Sequence, residues 1–278
     1  MKNLSSSDLQ QIIALCKQGI PQREIISLFG IGLSRLRKIA VEAGLNGGWR
    51  DHFPLNENVF SEISNPEAAY WVGFLMADGN VCKSRVSLKL ARYDENHLVN
   101  FQQFVGAKNH VISRRTDENR LPQGTRGSYD SSSLQFNCTK MVSDLSLYGV
   151  SARKSHSAVF SDAAAANKLC WLGLIDGDGS VGYARKCPRL FLSGSRLILE
   201  QFNDVFLSGL GLSPATISVD PRRVPQINIY SKRCLEIVDH LWVGHTLGLS
   251  RKRSIAEGMR KGYRFSRHQA KTPGEAEG

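Results

Sequence analysis

Long apolar runs are missing from this sequence of 278 residues. Hydrophobic side chains make up 41% of it, yet every unbroken stretch is far shorter than the ~20 residues that cross a bilayer. The first residues, Met1-Lys2-Asn3-Leu4-Ser5-Ser6-Ser7, hold no apolar core of the kind a secretory leader carries, so secretion is not expected. Cysteine is scarce and dispersed: Cys16, Cys82, Cys138, Cys170, Cys187 and Cys234 include no C-x-x-C pair. That spacing argues against structural zinc and dithiol redox chemistry, and favours reduced thiols in a cytoplasmic compartment. With 25 glycines, 9 prolines and 22% charged residues, the composition is neither collagen-like nor that of a disordered chain.

What is present in excess is positive charge: 36 Lys and Arg against 25 Asp and Glu, a net +11. The excess sits at the ends. Residues 1–50 carry seven basic and three acidic side chains, residues 250–278 eight and three, and the 199 residues between them 21 and 19. Basic ends around a near-neutral body suggest contact with a polyanion, most often nucleic acid. Basic tails that only keep the protein soluble are the alternative.

Three short helices are expected near the N-terminus. Leu9, Ile12, Ile13 and Cys16 recur at helical spacing over residues 6–18, with Ser6 or Ser7 as the cap and Gly19 at the end. Pro21 opens a second helix, Gln22 to Phe29, and Gly30-Ile31-Gly32 turns into a third, Leu33 to Ala43. That third helix turns Arg35, Arg37 and Lys38 outward, the pattern of a helix-turn-helix DNA-binding module over residues 1–48. A small structural bundle is the competing reading. A linker follows: Gly44 to Pro54, with Gly47-Gly48, breaks the helical pattern, and the linker is set at residues 49–64.

The rest of the chain repeats itself. Trp71-Val72-Gly73-Phe74-Leu75-Met76-Ala77-Asp78-Gly79 is echoed 100 residues later by Trp171-Leu172-Gly173-Leu174-Ile175-Asp176-Gly177-Asp178-Gly179. Gly149 to Ser155 is echoed by Gly248 to Ser254 at an offset of 99. Each copy is mixed α+β. In the first, Val86 to Leu90 alternates with period two, Asp94 to Val105 is helical, and His110–Arg115 and Leu134–Thr139 are strands joined by a long polar loop, Thr116 to Ser133. In the second, Arg189–Ser193, Thr216–Val219 and Gln226–Tyr230 are strands, with helices over Leu197–Leu207 and Arg233–Trp242. The copies span residues 65–160 and 161–265, and residues 266–278 read as a disordered tail.

Both motifs are apolar almost throughout, so each helix must be buried on most of its surface. Gly73 with Ala77, and Gly173 with Gly177, set two small residues four apart, which lets two helix backbones approach closely. The two helices are therefore expected to pair about a pseudo-twofold axis. Asp78 and Asp178 then converge at the negative ends of two helix dipoles, just before glycines suited to the C′ position. A divalent cation would offset the clash, and convergent carboxylates holding Mg²⁺ beside a phosphate are the working parts of phosphodiester hydrolysis. The bland reading is two Asp-Gly turns. A calcium loop starting at Asp176 fails, because position twelve is Cys187 rather than Glu.

Residues 71–79 and 171–179 resemble the paired signature motifs of the LAGLIDADG homing endonucleases in their single-chain form, and the resemblance extends over about residues 65–262. It implies two pseudo-twofold-related αββαββα repeats with antiparallel sheets facing DNA. It implies a site-specific, metal-dependent double-strand DNA endonuclease using Mg²⁺, with Mn²⁺ as substitute. The metal-binding residues would be Asp78 and Asp178 with the adjacent Gly79 and Gly179. A basic residue near each site is implied as well: Lys154 in the first copy and Arg253, or Lys252, in the second. Met76 departs from the motif where Asp176 keeps it, which bears on packing more than on cleavage. The outward strand positions Arg85, Ser87, Lys89, Gln135, Asn137, Thr139, Gln226, Asn228 and Tyr230, together with Arg185, are chemically suited to reading base edges. The resemblance implies a monomer with no membrane association, placed in the cytoplasm near the nucleoid or in an organellar matrix, and a role in intron, intein or mobile-gene spread. Two other functions stay open on the same fold: a non-catalytic DNA-binding regulator and a maturase that binds intron RNA.

Overall fold

The computed structural model describes residues 4–18, 20–45, 55–107, 110–120, 126–152, 157–220 and 222–269. It forms two compact units, Met1–Leu55 with Ala107–Asn109, and Asn56–Gly106 with His110–Gly278.

The first unit is α-helical: α1 (Ser6–Lys17), α2 (Gln22–Phe29) and α3 (Leu33–Glu42). The cap of α1 is Ser5, not Ser6 or Ser7, because Asp8 stands three residues on. The Ser5 hydroxyl accepts from the Asp8 N–H, and the Asp8 carboxylate accepts from the Ser5 N–H at 2.8 Å, a reciprocal capping box. Gly30 ends α2 in the left-handed region at φ 62. Ile12, Cys16, Ile25, Phe29, Leu36 and Ile39 fill the interior. Arg37 and Lys38 are exposed on α3 and Arg35 is half-buried.

The second unit is α+β, with two four-stranded antiparallel sheets. The first half runs α4 (Pro66–Ala77), β1 (Gly79–Cys82), β2 (Arg85–Ala91), α5 (Glu95–Phe104), β3 (Ser113–Arg120), β4 (Arg126–Asn137) and α6 (Thr139–Leu147). After a single turn, α7 (Asp162–Ala165), the second runs α8 (Lys168–Asp178), β5 (Gly179–Ala184), β6 (Cys187–Ser193), α9 (Arg196–Gln201), β7 (Ile217–Ser218), β8 (Gln226–Tyr230) and α10 (Ser231–Leu241), then α11 (Ser250–Gln269). Strand orders match: β1-β2-β4-β3 and β5-β6-β8-β7. The motifs are α4 and α8, each leading straight into the edge strand of its sheet.

Three expectations need correction. Residues 116–133, read as a polar loop, are mostly strand, with β3 and β4 in register from Ser113↔Ser133 to Arg120↔Arg126. Polar side chains along both strands hide the period-two signal, and only the pairing partner defines the ladder. Residues 56–64, read as linker, pack into the second unit: Phe60 is fully buried, edge-on to Phe104 at 5.6 Å. Helix α11 continues to Gln269, past the point where a disordered tail was expected. Residues 270–278 and 46–54 lie outside the described residues.

α4 and α8 meet with nothing between their backbones. A Cβ on Gly73 would fall on the Cys170 carbonyl, one on Gly173 on the Tyr70 carbonyl and the Phe74 N–H nitrogen, and one on Gly177 on the Cβ of Ala77. Around this seam Trp71 and Trp171 are buried, Trp71 among Phe74, Phe101 and His97, and Trp171 between Phe160 and Phe202.

The seam yields a sharp contrast between two glycine substitutions. Gly173→Ala should lower stability by about 3 kcal/mol or more, because neither helix can move aside without unpacking the core. Gly258→Ala, in α11 where an added Cβ meets nothing within 4 Å, should be neutral or gain up to ~1 kcal/mol. Urea midpoints of the two variants check this, and equal midpoints would refute the tight seam.

Candidate active site at the foot of the helix pair

Asp78 is the C-cap of α4 and Asp178 the last residue of α8, so the seam delivers both carboxyl groups to one end of the pair. Asp78 reaches across it: Oδ2 lies 3.4 Å from where a Cβ of Gly177, the residue before Asp178, would stand. Asp78 is exposed and Asp178 half-buried. The glycines that follow begin β1 and β5. Gly179 is extended (φ −114) rather than left-handed, so it is not the C′ glycine that the Asp-Gly pair suggests. It is required for space, because a Cβ there would sit 2.7 Å from both the Ile175 and Phe191 carbonyl oxygens.

A cation does occupy the negative end of α8, and it belongs to the protein. Lys252, 3% exposed, donates from Nζ to the carbonyl oxygens of Ile175 (2.9 Å), Asp176 (2.5 Å) and Gly179 (2.6 Å). Burial pushes its ammonium down to about 8, against the pull of Asp176. Lys252 thus caps the end of α8 in place of water, taking up the Asp176 and Gly179 carbonyls and adding a second donor to the Ile175 carbonyl, which already accepts from the Gly179 N–H. The neighbouring cations are committed elsewhere. Arg251 makes a two-pronged pair with Asp94, with Nη2 to Oδ2 at 3.0 Å. Arg253 donates to the His245 and Leu247 carbonyls and pairs with Glu257. Arg253, expected near the second site, has its guanidinium on carbonyls of the loop before α11. Lys154 lies outside the described residues.

Asp176 stands over the same helix end but points inward. It is 1% exposed, and burial raises its carboxyl to about 6. Its Oδ2 accepts from the Tyr70 hydroxyl at 2.9 Å and from the Leu249 N–H, at the start of α11, at 2.8 Å. Tyr70 in turn meets His97 Nε2 at 2.8 Å. The hydroxyl has one proton and gives it to Asp176, so His97 must donate from Nε2. Burial holds His97 down to about 4, which keeps the ring neutral and consistent with that tautomer. The pseudo-twofold-equivalent positions are apolar: Met76 of the first copy answers to Asp176, Cys170 of the second answers to Tyr70, and Met76 Cε packs 3.3 Å from the Cβ position of Gly149 as Asp176 Oδ2 does at 3.1 Å from that of Gly248. The departure at Met76 was read from the sequence as a matter of packing; Tyr70, His97 and the matching change at Cys170 were not.

Two polar sheet faces flank the site. In the first sheet Arg85 lies opposite Asn137, Ser87 opposite Gln135 and Lys89 opposite Ser133. In the second, Phe191 lies opposite Asn228, Arg189 opposite Tyr230 and Ser193 opposite Gln226. Thr139 is not on this face: Cys138 caps α6 with Sγ accepting from the Met141 N–H, so Thr139 is already helical. Arg185 sits in the β5–β6 turn with φ 47, exposed. Arg189 joins the polar face although the sequence reading passed over it.

Among the described residues no cluster of three or more His, Cys, Asp or Glu could cage a metal ion, and no helix is long and apolar enough to cross a membrane. A two-carboxylate donor set still fits Mg²⁺, which is commonly held by one or two carboxylates with water and substrate phosphate completing its shell.

No protein-family model matches the chain, and no curated protein matches it. Solved structures do. The homing endonuclease I-WcaI bound to its DNA recognition sequence aligns over 82% of this chain and 96% of its own, with TM-score 0.52 and 12% identity. The LAGLIDADG meganuclease I-AabMI bound to uncleaved DNA aligns over 74% and 92% (TM-score 0.46, 12% identity). The N-terminal LAGLIDADG domain of DUF199/WhiA aligns over 70% and 86% (TM-score 0.39, 16% identity). The chain has the LAGLIDADG fold, with two repeats in a single polypeptide.

Asp176 makes the pH dependence of stability readable. Its folded pKa of about 6 lies above the ordinary 3.8, so the folded state holds this proton more tightly than the unfolded chain. That contribution is complete below pH ~4 and is lost as pH rises through about 6. Asp176→Asn removes the titration and should flatten the loss of stability between pH 4 and 6, measured as urea midpoints across that range. An unchanged slope would take Asp176 out of the titrating set.

Proposed function

We propose that the chain is a site-specific DNA endonuclease that cuts both strands of a duplex, one strand at each of two pseudo-equivalent sites. The observation that carries this is the meeting of Asp78 and Asp178 at one end of the backbone-packed pair α4 and α8, between two polar sheet faces. The likeness to I-WcaI, itself a homing endonuclease seen on its DNA recognition sequence, supports the same reading. Both motifs are in one polypeptide, so a monomer suffices.

Asp78 and Asp178 would hold Mg²⁺, or Mn²⁺ in its place, against the scissile phosphates. When bound, the cation supplies charge neutralisation at the phosphate and a more acidic water for attack. The chain's residues supply position. Lys252 fixes the carbonyls of residues 175, 176 and 179 and thereby the backbone that aims Asp178, and it keeps a positive charge beneath the site. Gly179 allows the helix to become a strand within one residue, so Asp178 stands at the lip of the sheet. Holding these groups in place before substrate arrives is the protein's main contribution to the rate. Arg35, Arg37 and Lys38 on α3 would add contacts to backbone phosphates as an auxiliary clamp.

Asp78→Asn and Asp178→Asn should each abolish double-strand cleavage of a selected target while DNA affinity stays within a few-fold, and EDTA should stop the wild-type reaction until Mg²⁺ is restored. Full cleavage by either variant would exclude that carboxylate. Replacing Arg35, Arg37 and Lys38 by alanine should flatten the plot of log affinity against log salt by up to ~2.7, at ~0.9 per lost phosphate contact. An unchanged slope would leave α3 off the DNA.

A further inference from the structure

We propose that Arg85 and Arg189 are a pseudo-twofold pair of base readers, each recognising one guanine at matching distances on either side of the target's centre. The inference rests on the DNA endonuclease reading above and adds which residues set specificity and for which base.

Strand register establishes the equivalence. Gly79 pairs with Leu88 and Gly179 with Leu192, so Leu88 and Leu192 are structural counterparts. Three residues back along β2 and β6 stand Arg85 and Arg189. Their sequence offset is 104 rather than 100, because β5 has six residues where β1 has four. A fixed offset of 100 pairs Arg85 with Arg185, a turn residue, and hides the true mate.

Both arginines lie on the face opposite the buried leucines, Leu88 and Leu90 in one sheet and Leu190 and Leu192 in the other. Both are half-buried, so their stems are held. Arg189 is further ordered: Nε donates to Asn228 Oδ1 at 2.8 Å, and the guanidinium carbon lies 5.3 Å from the Phe191 ring centroid. That arrangement steadies one edge of the guanidinium and directs the Nη side at an incoming ligand. A planar fork of this kind matches O6 and N7 of guanine in the major groove, the commonest specific contact to a base. Arg85 faces Asn137 across the ladder and approaches Cys82 Sγ with Nη2 at 3.6 Å. Phosphate clamping needs no such order; reading a base edge does.

Three strand residues cover ~10 Å, about three base steps at 3.4 Å along one strand. The two guanines should therefore lie on opposite strands, about three base pairs outward from the respective scissile phosphates.

Selection from a randomised duplex library by the full-length protein, without metal so that bound DNA survives, tests this. Wild type should enrich guanine at two mirrored positions. Arg189→Ala should erase the preference at one and Arg85→Ala at the other, with discrimination there falling about tenfold to a hundredfold. Arg189→Gln should convert its position from guanine to adenine, an outcome that misfolding cannot imitate, since Gln fits adenine N6 and N7. If the variants lose affinity evenly and keep the wild-type base preferences, the arginines are phosphate clamps and the inference is overturned. If wild type enriches no sequence at all, the DNA endonuclease reading itself falls.

Discussion

Everything at the site depends on α4 and α8 touching backbone to backbone. Helices separated by side chains lie 8–10 Å apart, and carboxyl groups at their ends would then be too distant to act at one place. Glycine at 73, 173 and 177 removes the spacers. The cost is that neither helix has a polar face to give to solvent, and both are apolar nearly throughout, with residues 68–76 of α4 and 169–176 of α8 buried. Burial on all sides fixes the pair and leaves no rotation by which the two Asp residues could drift apart.

Such a seam buries two helix ends as well as two helix faces, and each must be satisfied. At α8 the solution is an ammonium: Lys252 comes from a helix 73 residues away to accept the role that water plays at an exposed end. At the start of α11 the solution is a carboxylate, Asp176, which takes the Leu249 N–H. The charges meet in one buried region, where burial raises the carboxyl and lowers the ammonium while the attraction between the two offsets part of each shift. The first copy has no counterpart to Asp176. Met76 stands where the other copy has Asp176 and Cys170 where the other has Tyr70, so the pseudo-twofold axis relates a hydrogen-bonded polar pair to two apolar positions. Swapping only one partner would leave a buried hydroxyl or carboxylate without its mate, a loss of about 1–3 kcal/mol or more. The two departures from symmetry are thus one feature.

The repeat made the fold legible. Motif helices, the alternating strand around Leu88 and the strand around Ile229 all carry strong periodicity, and two copies of a nonapeptide locate the twofold. Asp78 and Asp178 follow from position alone. The polar hairpin of β3 and β4 does not, because a strand with polar residues on both faces has no amphipathic signature. Lys252 was legible as a basic residue near the site but not as a buried one, since its acceptors are main-chain carbonyls far off in sequence. Arg189 was hidden by the longer β5–β6 hairpin, which shifts the register by four residues relative to the motif. Sequence offset follows the helices; the sheets keep their own.

The same distinction changes the meaning of the net charge. Eight basic residues in 250–278 suggest a cationic C-terminal patch for a polyanion. Four of them are turned to other duties: Arg251 to Asp94, Lys252 to α8, Arg253 to the loop before α11 and Arg260 to Asp239 at 2.9 Å. A guanidinium or ammonium already matched by carboxylates or carbonyl dipoles projects little field beyond its partners, so a count of charges overstates what a phosphate backbone would feel. Basic side chains also stand at outward sheet positions, Arg85, Lys89 and Arg189, on the faces that flank Asp78 and Asp178. The first half of α11 is then best understood as the brace that holds the second motif in shape, with the charge of Arg251, Lys252, Arg253 and Arg260 directed inward.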